Sequence, residues 1–244
     1  MSPRGKPDDP EERATRILDA TAKLLLRWGY DRTTVGDVAR VAEVAKGSVY
    51  AHWPNRELLF LAVLQRERAM LLDEVRDRLR ASEQPADLRL LLVEIVRAYQ
   101  QRPLLVAVLT RDTEILGRLA AAAQEAAQEE RAAPRTTVEL LRKLRDRGWI
   151  RTDRSLAEQV TVLSSVFLGY FLTVGLMPRE FRVPADAVPV LIAEAVHSAL
   201  ERPEPLTPDE VTALDRAIHD HIEAAADAAA EQLRDLQAAG EELT

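Results

Sequence analysis

A basic, a small and a hydroxyl-bearing residue, Lys46, Gly47 and Ser48, follow one another at the start of a short predicted helix. The first backbone N–H groups and the dipole of a helix favour phosphate, and short side chains let that end approach a nucleic-acid backbone. Tyr50 and His52 lie further along the same helix. The pattern predicts a recognition helix whose first turns enter the major groove of DNA.

The residues before this helix have the spacing of a helix-turn-helix. Such a motif needs a small residue where two helices cross, apolar residues at their contact and a short turn. Ala39 is the small residue, residues 42–45 make the turn, and Thr34 with Asp37 resembles a capping box for the first helix. The apolar contact positions are Val38, Val44 and Val49. The spacing predicts a helix-turn-helix over 34–52, although a plain helical corner can carry a similar pattern.

The composition argues against other kinds of chemistry. The chain has no Cys and four His, so thiol catalysis, a disulfide framework and a Cys-built zinc site are excluded. It contains no G-x-S-x-G, H-E-x-x-H, Walker or Rossmann motif. Asp215, His219 and Glu223 lie four apart on one predicted helix and could touch a metal, but i,i+4 pairing explains their spacing better. We therefore expect a protein that is not an enzyme, without a cofactor or metal.

Helical periodicity and breaks at Pro or Gly extend over the whole chain and predict an all-α fold. Helix starts are expected after Asp9, Thr34, Asn55 and Thr207. Further helices are expected at about 87–101, 104–116, 118–147, 155–176 and 186–200. The N-terminus has no apolar stretch before its first charges, which argues against a signal peptide, so we expect a cytoplasmic protein.

The acidic charge is concentrated at one end of the chain. The formal net charge is −7, but residues 201–244 alone hold three basic and twelve acidic residues. Residues 1–60 hold ten basic and nine acidic residues, so the predicted helix-turn-helix lies in a nearly neutral segment. Such a segment can still bind phosphate if its bases share one face, and the net charge therefore does not exclude a nucleic-acid partner.

The segment 160–177 contains eighteen residues without a charge, the lower limit for a membrane span. Its small and hydroxyl residues, and the absence of basic flanks, argue against a span. Ser165 and Gly169, four residues apart, would let another helix approach closely. We interpret the segment as a helix buried all round, in a core or in a dimer interface, with no membrane partner.

A Pro-rich segment at 202–205 precedes a last amphipathic helix at about 207–239. Its apolar stripe includes Leu214, Ile218, Ile222 and Leu236, with acidic residues opposite. Two interpretations stay open. The helix either packs on the body of its own chain, or it extends a dimer interface or crosses to a partner subunit.

Several short segments together resemble the DNA-binding domain of the TetR family of bacterial transcriptional regulators. The resemblance covers roughly 13–64. Its segments are Ile17-Leu18-Asp19-Ala20, Gly29-Tyr30, Thr33-Thr34-Val35, Asp37-Val38-Ala39, Lys46-Gly47-Ser48-Val49-Tyr50, His52-Trp53 and Asn55-Arg56-Glu57-Leu58-Leu59. The resemblance implies a homodimer that binds a palindromic double-stranded operator, usually as a repressor, until a small-molecule effector releases it.

The resemblance also implies roles for individual residues. Thr34 would cap the first helix of the motif and contact phosphate, while Lys46, Gly47 and Ser48 would lie at the entry to the groove. The others implied to bind DNA are Tyr50, through its hydroxyl, His52 and Arg56. Arg56 stands where the family usually has a phosphate-binding Lys, and its substitution by Ala is expected to weaken DNA binding without lowering the melting temperature.

The resemblance divides the chain into a DNA-binding domain at 9–58, a larger helical ligand-binding and dimerisation domain at 59–202, and the added segment 203–244. Dimerisation is implied for the helices at 155–176 and 186–200, where Ser165 and Gly169 lie. Residues that could line an effector pocket among the apolar helices are Tyr99, Gln100, Thr110, Arg111 and Trp149.

Two residues depart from the family pattern. Glu43 stands in the turn where the family usually has Gly, and a non-Gly residue with positive φ costs about 1 kcal/mol. Ala45 replaces the usual Ser or Thr cap, a loss that typically costs about 1 kcal/mol. An alternative function is therefore a helical ligand-binding or interaction protein of the same fold with weak or lost DNA binding.

Overall fold

The computed structural model describes residues 9–117 and 132–241, which form helices joined by short connections. The helices are α1 (Pro10–Trp28), α2 (Val35–Val41), α3 (Lys46–His52), α4 (Arg56–Ala81), α5 (Leu88–Gln100), α6 (Pro103–Thr110), α7 (Thr113–Leu116), α8 (Ala132–Asp146), α9 (Leu156–Thr173), α10 (Val188–Leu200) and α11 (Pro208–Glu241). A 3₁₀ turn lies at Arg179–Phe181. No strand occurs within the described ranges, and the all-α prediction is confirmed.

Local side-chain caps explain where several of these helices begin. The side chain of Asp9 accepts the N–H of Glu11, and Asn55 Oδ1 accepts the N–H of Leu58 at 2.8 Å. Thr34 forms a complete capping box with Asp37. Thr207 caps α11 by accepting the N–H of Glu210 at 3.3 Å. Each cap satisfies a backbone donor that the first turn leaves open. The four predicted starts are confirmed.

The helix predicted at 104–116 is wrong, because the chain breaks it into α6 and α7. Arg111 adopts a left-handed conformation with φ of 54°, and Asp112 then caps α7 by accepting the N–H groups of Glu114 and Ile115. No Gly or Pro lies at this break, so the helical periodicity predicted one continuous helix. Of the helix predicted at 118–147, only 132–146 is described as helical, and 118–131 lies outside the described residues.

Two hydrophobic cores share one long helix. The head core joins α1, α2, α3 and the first half of α4, through residues such as Ile17, Val38 and Phe60. The second core joins the other half of α4 to α5, α8, α10 and α11. The boundary drawn between residues 58 and 59 therefore falls inside α4, and Leu59 and Leu64 belong to the head core.

Helices α6 and α7 bring the second unit against the head. Leu104 of α6 belongs to the head core, and the Tyr30 N–H donates to the Ile115 carbonyl at 2.8 Å. Gly29, with φ of 73°, ends α1 at this contact. A Cβ at this position would overlap the backbone oxygen of Glu114. Only glycine therefore fits both the conformation and the close approach.

The last helix packs on its own chain along α4. Ile218, Ile222 and Ala226 of its apolar stripe are buried there. The first interpretation, a helix that lies on its own body, is the one that the structure shows. Because α4 covers this part of the stripe within the chain, the alternative, in which the helix extends a dimer interface or crosses to a partner, stays a prediction.

Most residues of helix α9 are half-buried, and several others are exposed. Only Gln159 and Leu163 are buried in it, so the prediction of a helix buried all round is not met within one chain. Among the described residues α9 is the one helix long and apolar enough to cross a membrane by length and composition. The segment after it is also apolar and exposed, with Leu176 at 82% and Phe181 at 68% of their full accessibility.

Candidate nucleic-acid interface

The contact between α2 and α3 has the predicted construction. Val38, Ala39 and Val49 are all buried, and Val44 packs partly buried against the same core. The Val44 N–H donates to the Ala39 carbonyl at 3.0 Å and closes the turn. Small and β-branched side chains at the crossing let the two helices approach, so α3 is held at a fixed angle to α2.

The turn between these helices carries the two residues that depart from the family pattern. Glu43 adopts φ of 56°, the left-handed conformation that favours glycine. Ala45 takes the N-cap position of α3, where it provides no side-chain hydrogen bond. The Ser48 N–H donates instead to the Ala45 carbonyl at 2.9 Å. Both features are expected to reduce the stability of the motif.

The exposed surface of α3 presents the residues predicted to meet DNA. Lys46, Gly47 and Tyr50 are exposed, while Ser48 and His52 are half-buried. The Lys46 ammonium lies 5.8 Å from the centre of the Tyr50 ring. No described atom lies within 4 Å of the position that a Cβ would take at Gly47. This end of α3 therefore offers a cation, a phenol and open backbone on one accessible surface.

Thr34 is engaged inside its own capping box. Its hydroxyl donates to Asp37 Oδ2 at 2.6 Å and accepts the Asp37 N–H at 3.2 Å. The hydrogen bond from Thr34 lowers the pKa of Asp37, with a second contribution from Arg40 at 2.9 Å. To donate to a phosphate, the Thr34 hydroxyl would have to turn its O–H bond away from Asp37 Oδ2. The exposed Arg40 adds a positive charge that the sequence analysis did not single out.

Arg56 is half-buried, and its side chain lies against the turn that follows α1. Its guanidinium stacks 3.9 Å from the centre of the Tyr30 ring, and Nη2 donates to the Tyr30 carbonyl. Its Nε is buried and meets no acceptor among the described residues. Glu57 accepts the Tyr30 hydroxyl at 3.0 Å. In this conformation the stacking holds the Arg56 side chain against Tyr30, in the turn after α1, and a phosphate contact by Arg56 stays a prediction.

The second unit contains a groove and a smaller cavity. The groove encloses about 370 Å³ between α5, α6, α7 and the end of α9, and Gln100 and Thr110 line it. Trp149 lines the smaller cavity, of about 90 Å³. Tyr99 and Arg111 line neither. Arg111 is exposed at the end of α6.

The Tyr99 ring is part of an aromatic cluster instead. It packs edge-on against Phe167 with ring centres 5.4 Å apart and touches Phe171 at 6.0 Å. Burial raises the pKa of its phenol. The sequence showed an aromatic residue on an apolar helix, but not which neighbour would cover it.

The two residues predicted for the dimer interface lie on the accessible side of α9. Ser165 is exposed and Gly169 is half-buried. No described group comes within 4 Å of a Cβ placed at Gly169. No described helix of the chain therefore approaches α9 closely at Gly169, and the space there is open to another molecule.

The three residues that the sequence assigns to i,i+4 pairing on α11 are engaged with protein groups. Asp215 accepts the Ala86 N–H at 2.7 Å, and Glu223 pairs with Arg80 at 2.6 Å. His219 lies 3.5 Å from Asp215. Over the residues that the structure describes, no group of three His, Asp or Glu side chains is arranged to hold a metal ion.

Residues 17–63 match the family model described as bacterial regulatory proteins of the TetR family. This segment contains α2, the turn and α3. The chain carries a TetR-family domain at its N-terminus.

Curated TetR-family relatives match over part of this chain. The transcriptional repressor KstR of Rhodococcus jostii is 35% identical over 102 residues, which make up 41% of this chain and 47% of that protein. The regulator QacR of Staphylococcus aureus is 35% identical over 54 residues, 22% of this chain and 29% of QacR. The chain thus spans about half the length, or less, of the curated relatives it matches.

Solved TetR-family structures share the fold over a larger part of the chain. NalD, a secondary repressor of a multidrug efflux pump in Pseudomonas aeruginosa, superposes with a TM-score of 0.56 at 25% identity, over 80% of this chain and 100% of NalD. SmeT in complex with triclosan gives 0.57 at 20% identity, over 80% of this chain and 99% of SmeT. The likeness to SmeT concerns the fold alone.

Proposed function

We propose that this TetR-family chain is a cytoplasmic, homodimeric repressor that binds a palindromic DNA operator and is released by a small-molecule effector. The observation that carries the proposal is the helix-turn-helix within the matched segment, with Lys46, Gly47 and Tyr50 exposed on α3. A lysine at the start of such a helix contributes favourable phosphate contacts. Ser48 and His52 lie on the same helix and are assigned to the same interface.

The effector site in this proposal is the groove beside α6 and α7. Asp112 and Ile115 line it, and the Ile115 carbonyl is the acceptor of the Tyr30 N–H. Tyr30 in turn carries the stacked guanidinium of Arg56. A ligand that displaces α7 must therefore either break this hydrogen bond or move Tyr30 with it. The groove and the head are coupled through one short path, as ligand release requires.

The dimer surface in this proposal is the uncovered apolar face of α9 and α10. Leu172, Leu176 and Leu191 are exposed on these helices or directly after α9. Ser165 and Gly169 lie on α9 and leave room for a partner helix. An exposed apolar surface of this kind usually marks an interaction site. A second copy of the chain covers it in a dimer, and this also accounts for an apolar helix that the chain's own core leaves open.

The second candidate is a protein of the same fold that has weak or no DNA binding. Two residues favour it. Glu43 places a carboxylate in the turn of the motif, where it repels phosphate, and the Arg56 guanidinium donates to the Tyr30 carbonyl instead of to DNA. The two candidates differ in the response to salt. The logarithm of operator affinity falls linearly with the logarithm of salt concentration when phosphates are bound.

Selection of bound sequences from a random DNA pool at near-physiological salt tests the proposal. We expect an enriched palindrome whose affinity falls with salt, and Lys46→Ala is expected to weaken it. The matched control is Lys143→Ala, an exposed lysine on α8 away from the motif. No enrichment by a folded dimer would reject DNA binding and leave the second candidate.

A further inference from the structure

Helix α11 lies along α4 in the opposite direction, from the second core towards the head. At one end, Asp215 Oδ1 accepts the Ala86 N–H at 2.7 Å, just beyond the end of α4. One residue before the end of α4, Arg80 donates to both carboxylate oxygens of Glu223 at 2.6 and 2.7 Å. The direction is fixed because later residues of α11 meet earlier residues of α4.

The other end of α11 reaches the DNA-binding head. Gln65 Nε2 donates to Gln232 Oε1 at 2.8 Å and to the Ala229 carbonyl at 3.1 Å. Arg68 donates to the same Gln232 oxygen at 3.1 Å. Leu236 packs against the head core, and this part of α11 also contacts α3.

The face of α11 between these two ends is suited to close packing. Ile218, Ala226 and Ala229 are almost fully buried. Small side chains let the two helix axes approach, and interdigitated packing resists sliding. The pair α4–α11 therefore forms a rigid two-helix unit that contributes residues to both cores.

We infer that α11 is a strap that fixes the recognition helix relative to the dimerising unit, with Gln232 and Leu236 as positioning residues for DNA binding. This inference rests on the proposed function. Two heads of a dimer meet half-sites about 34–36 Å apart, one turn of DNA. The strap opposes a swing of the head to another separation in the absence of an effector, so it makes the protein strict about half-site spacing.

The test compares Gln232→Ala/Leu236→Ala with a control pair in the full chain. Glu231→Ala/Arg234→Ala changes two exposed residues of the same turns and leaves the net charge unaltered. Amide hydrogen exchange is measured on the protein alone. We expect exchange in α3 to rise about tenfold or more in the strap variant, with α5 and α10 unchanged, because only the head gains freedom. The control pair is expected to change neither.

Operator binding supplies the second measurement. We expect the strap variant to bind the selected operator about tenfold more weakly, as when a head is correctly placed about a tenth of the time. The penalty for inserting one base pair between half-sites is expected to shrink. A merely structural role would weaken both operators equally and leave that penalty unchanged.

Unchanged exchange in α3, or an unchanged spacing penalty, would overturn the inference. If exchange in α5 and α10 also rises, the single variant Gln232→Ala, which removes only the hydrogen bonds to Gln65 and Arg68, replaces the pair under the same criteria. If no operator is enriched, the proposed function fails, and hydrogen exchange alone still decides whether α11 straps the head.

Discussion

The carboxylate of Asp37 both closes the capping box of α2 and forms an ion pair in the head. It accepts the Thr34 hydroxyl and the Arg40 guanidinium, and these hydrogen bonds lower its pKa below the ordinary 3.8. Glu158 and Glu210, in the capping boxes of α9 and α11, have lowered pKa values for the same kind of reason. Such groups stabilise the fold only while they are ionised.

We therefore expect the free energy of unfolding to fall as pH drops through the lowered pKa values of these carboxyls. Their contribution is fully present above their ordinary pKa values. Asp37→Asn keeps an acceptor oxygen but no longer titrates. Urea denaturation over an acidic pH series should show a shallower pH dependence in Asp37→Asn than in the wild type. An identical slope would contradict a role for this carboxylate.

The stacked position of Arg56 changes what its substitution is expected to do. Arg56→Ala removes the stacking on Tyr30 and the bond to its carbonyl, so we expect a loss of about 1–3 kcal/mol of stability. This reverses the expectation from sequence that only DNA binding would suffer. Thermal unfolding measures it, with the exposed Arg27→Ala on α1 as control. An unchanged melting temperature would mean that the stacking contributes nothing.

At the scale of elements, the turn before α3 should be improvable. Glu43→Gly relieves a left-handed non-glycine residue and removes a carboxylate, so we expect stability to rise by up to about 1 kcal/mol. Operator affinity should rise as well. Glu83→Gly, in a loop where φ is not positive, is the control and should not stabilise. Urea denaturation and operator titration check both expectations.

The contact between α1 and α7 should be intolerant of a methyl group. Gly29→Ala forces a Cβ against the Glu114 oxygen at positive φ, so we expect a loss of about 2 kcal/mol or more. Gly47→Ala meets open space in α3 and should leave the fold intact or slightly more stable. Thermal unfolding measures both variants. Equal melting temperatures would show that α7 moves away from a Cβ at residue 29 at little cost in stability.

The elements show why sequence predicted the head better than the second unit. Caps at Asp9, Thr34 and Asn55 are local, so the residues themselves specify where helices begin. The break at Arg111 depends on the docking of α7 against the head, which no local pattern encodes. The position of Arg56 likewise depends on the Tyr30 ring, twenty-six residues away.

For the whole molecule, the uncovered apolar face of α9 is the surface at which the proposed dimer can be tested. Leu172→Asp places a charge on that face, at a residue with 53% of its accessibility, so we expect the dimer to dissociate. Leu26→Asp, on the exposed side of α1 at 42%, is the control. Light scattering measures the mass. A variant that keeps the dimer mass would place the interface elsewhere.

The boundary between the two units lies inside helix α4, which both cores share, and this has a consequence for cutting the molecule apart. A protease needs an extended, accessible segment, and 56–81 offers a continuous helix covered by α11. The head should therefore not be released as a stable fragment by limited digestion between the two cores. Heating should likewise melt both cores in one cooperative transition, because neither can lose α4 without exposing the other.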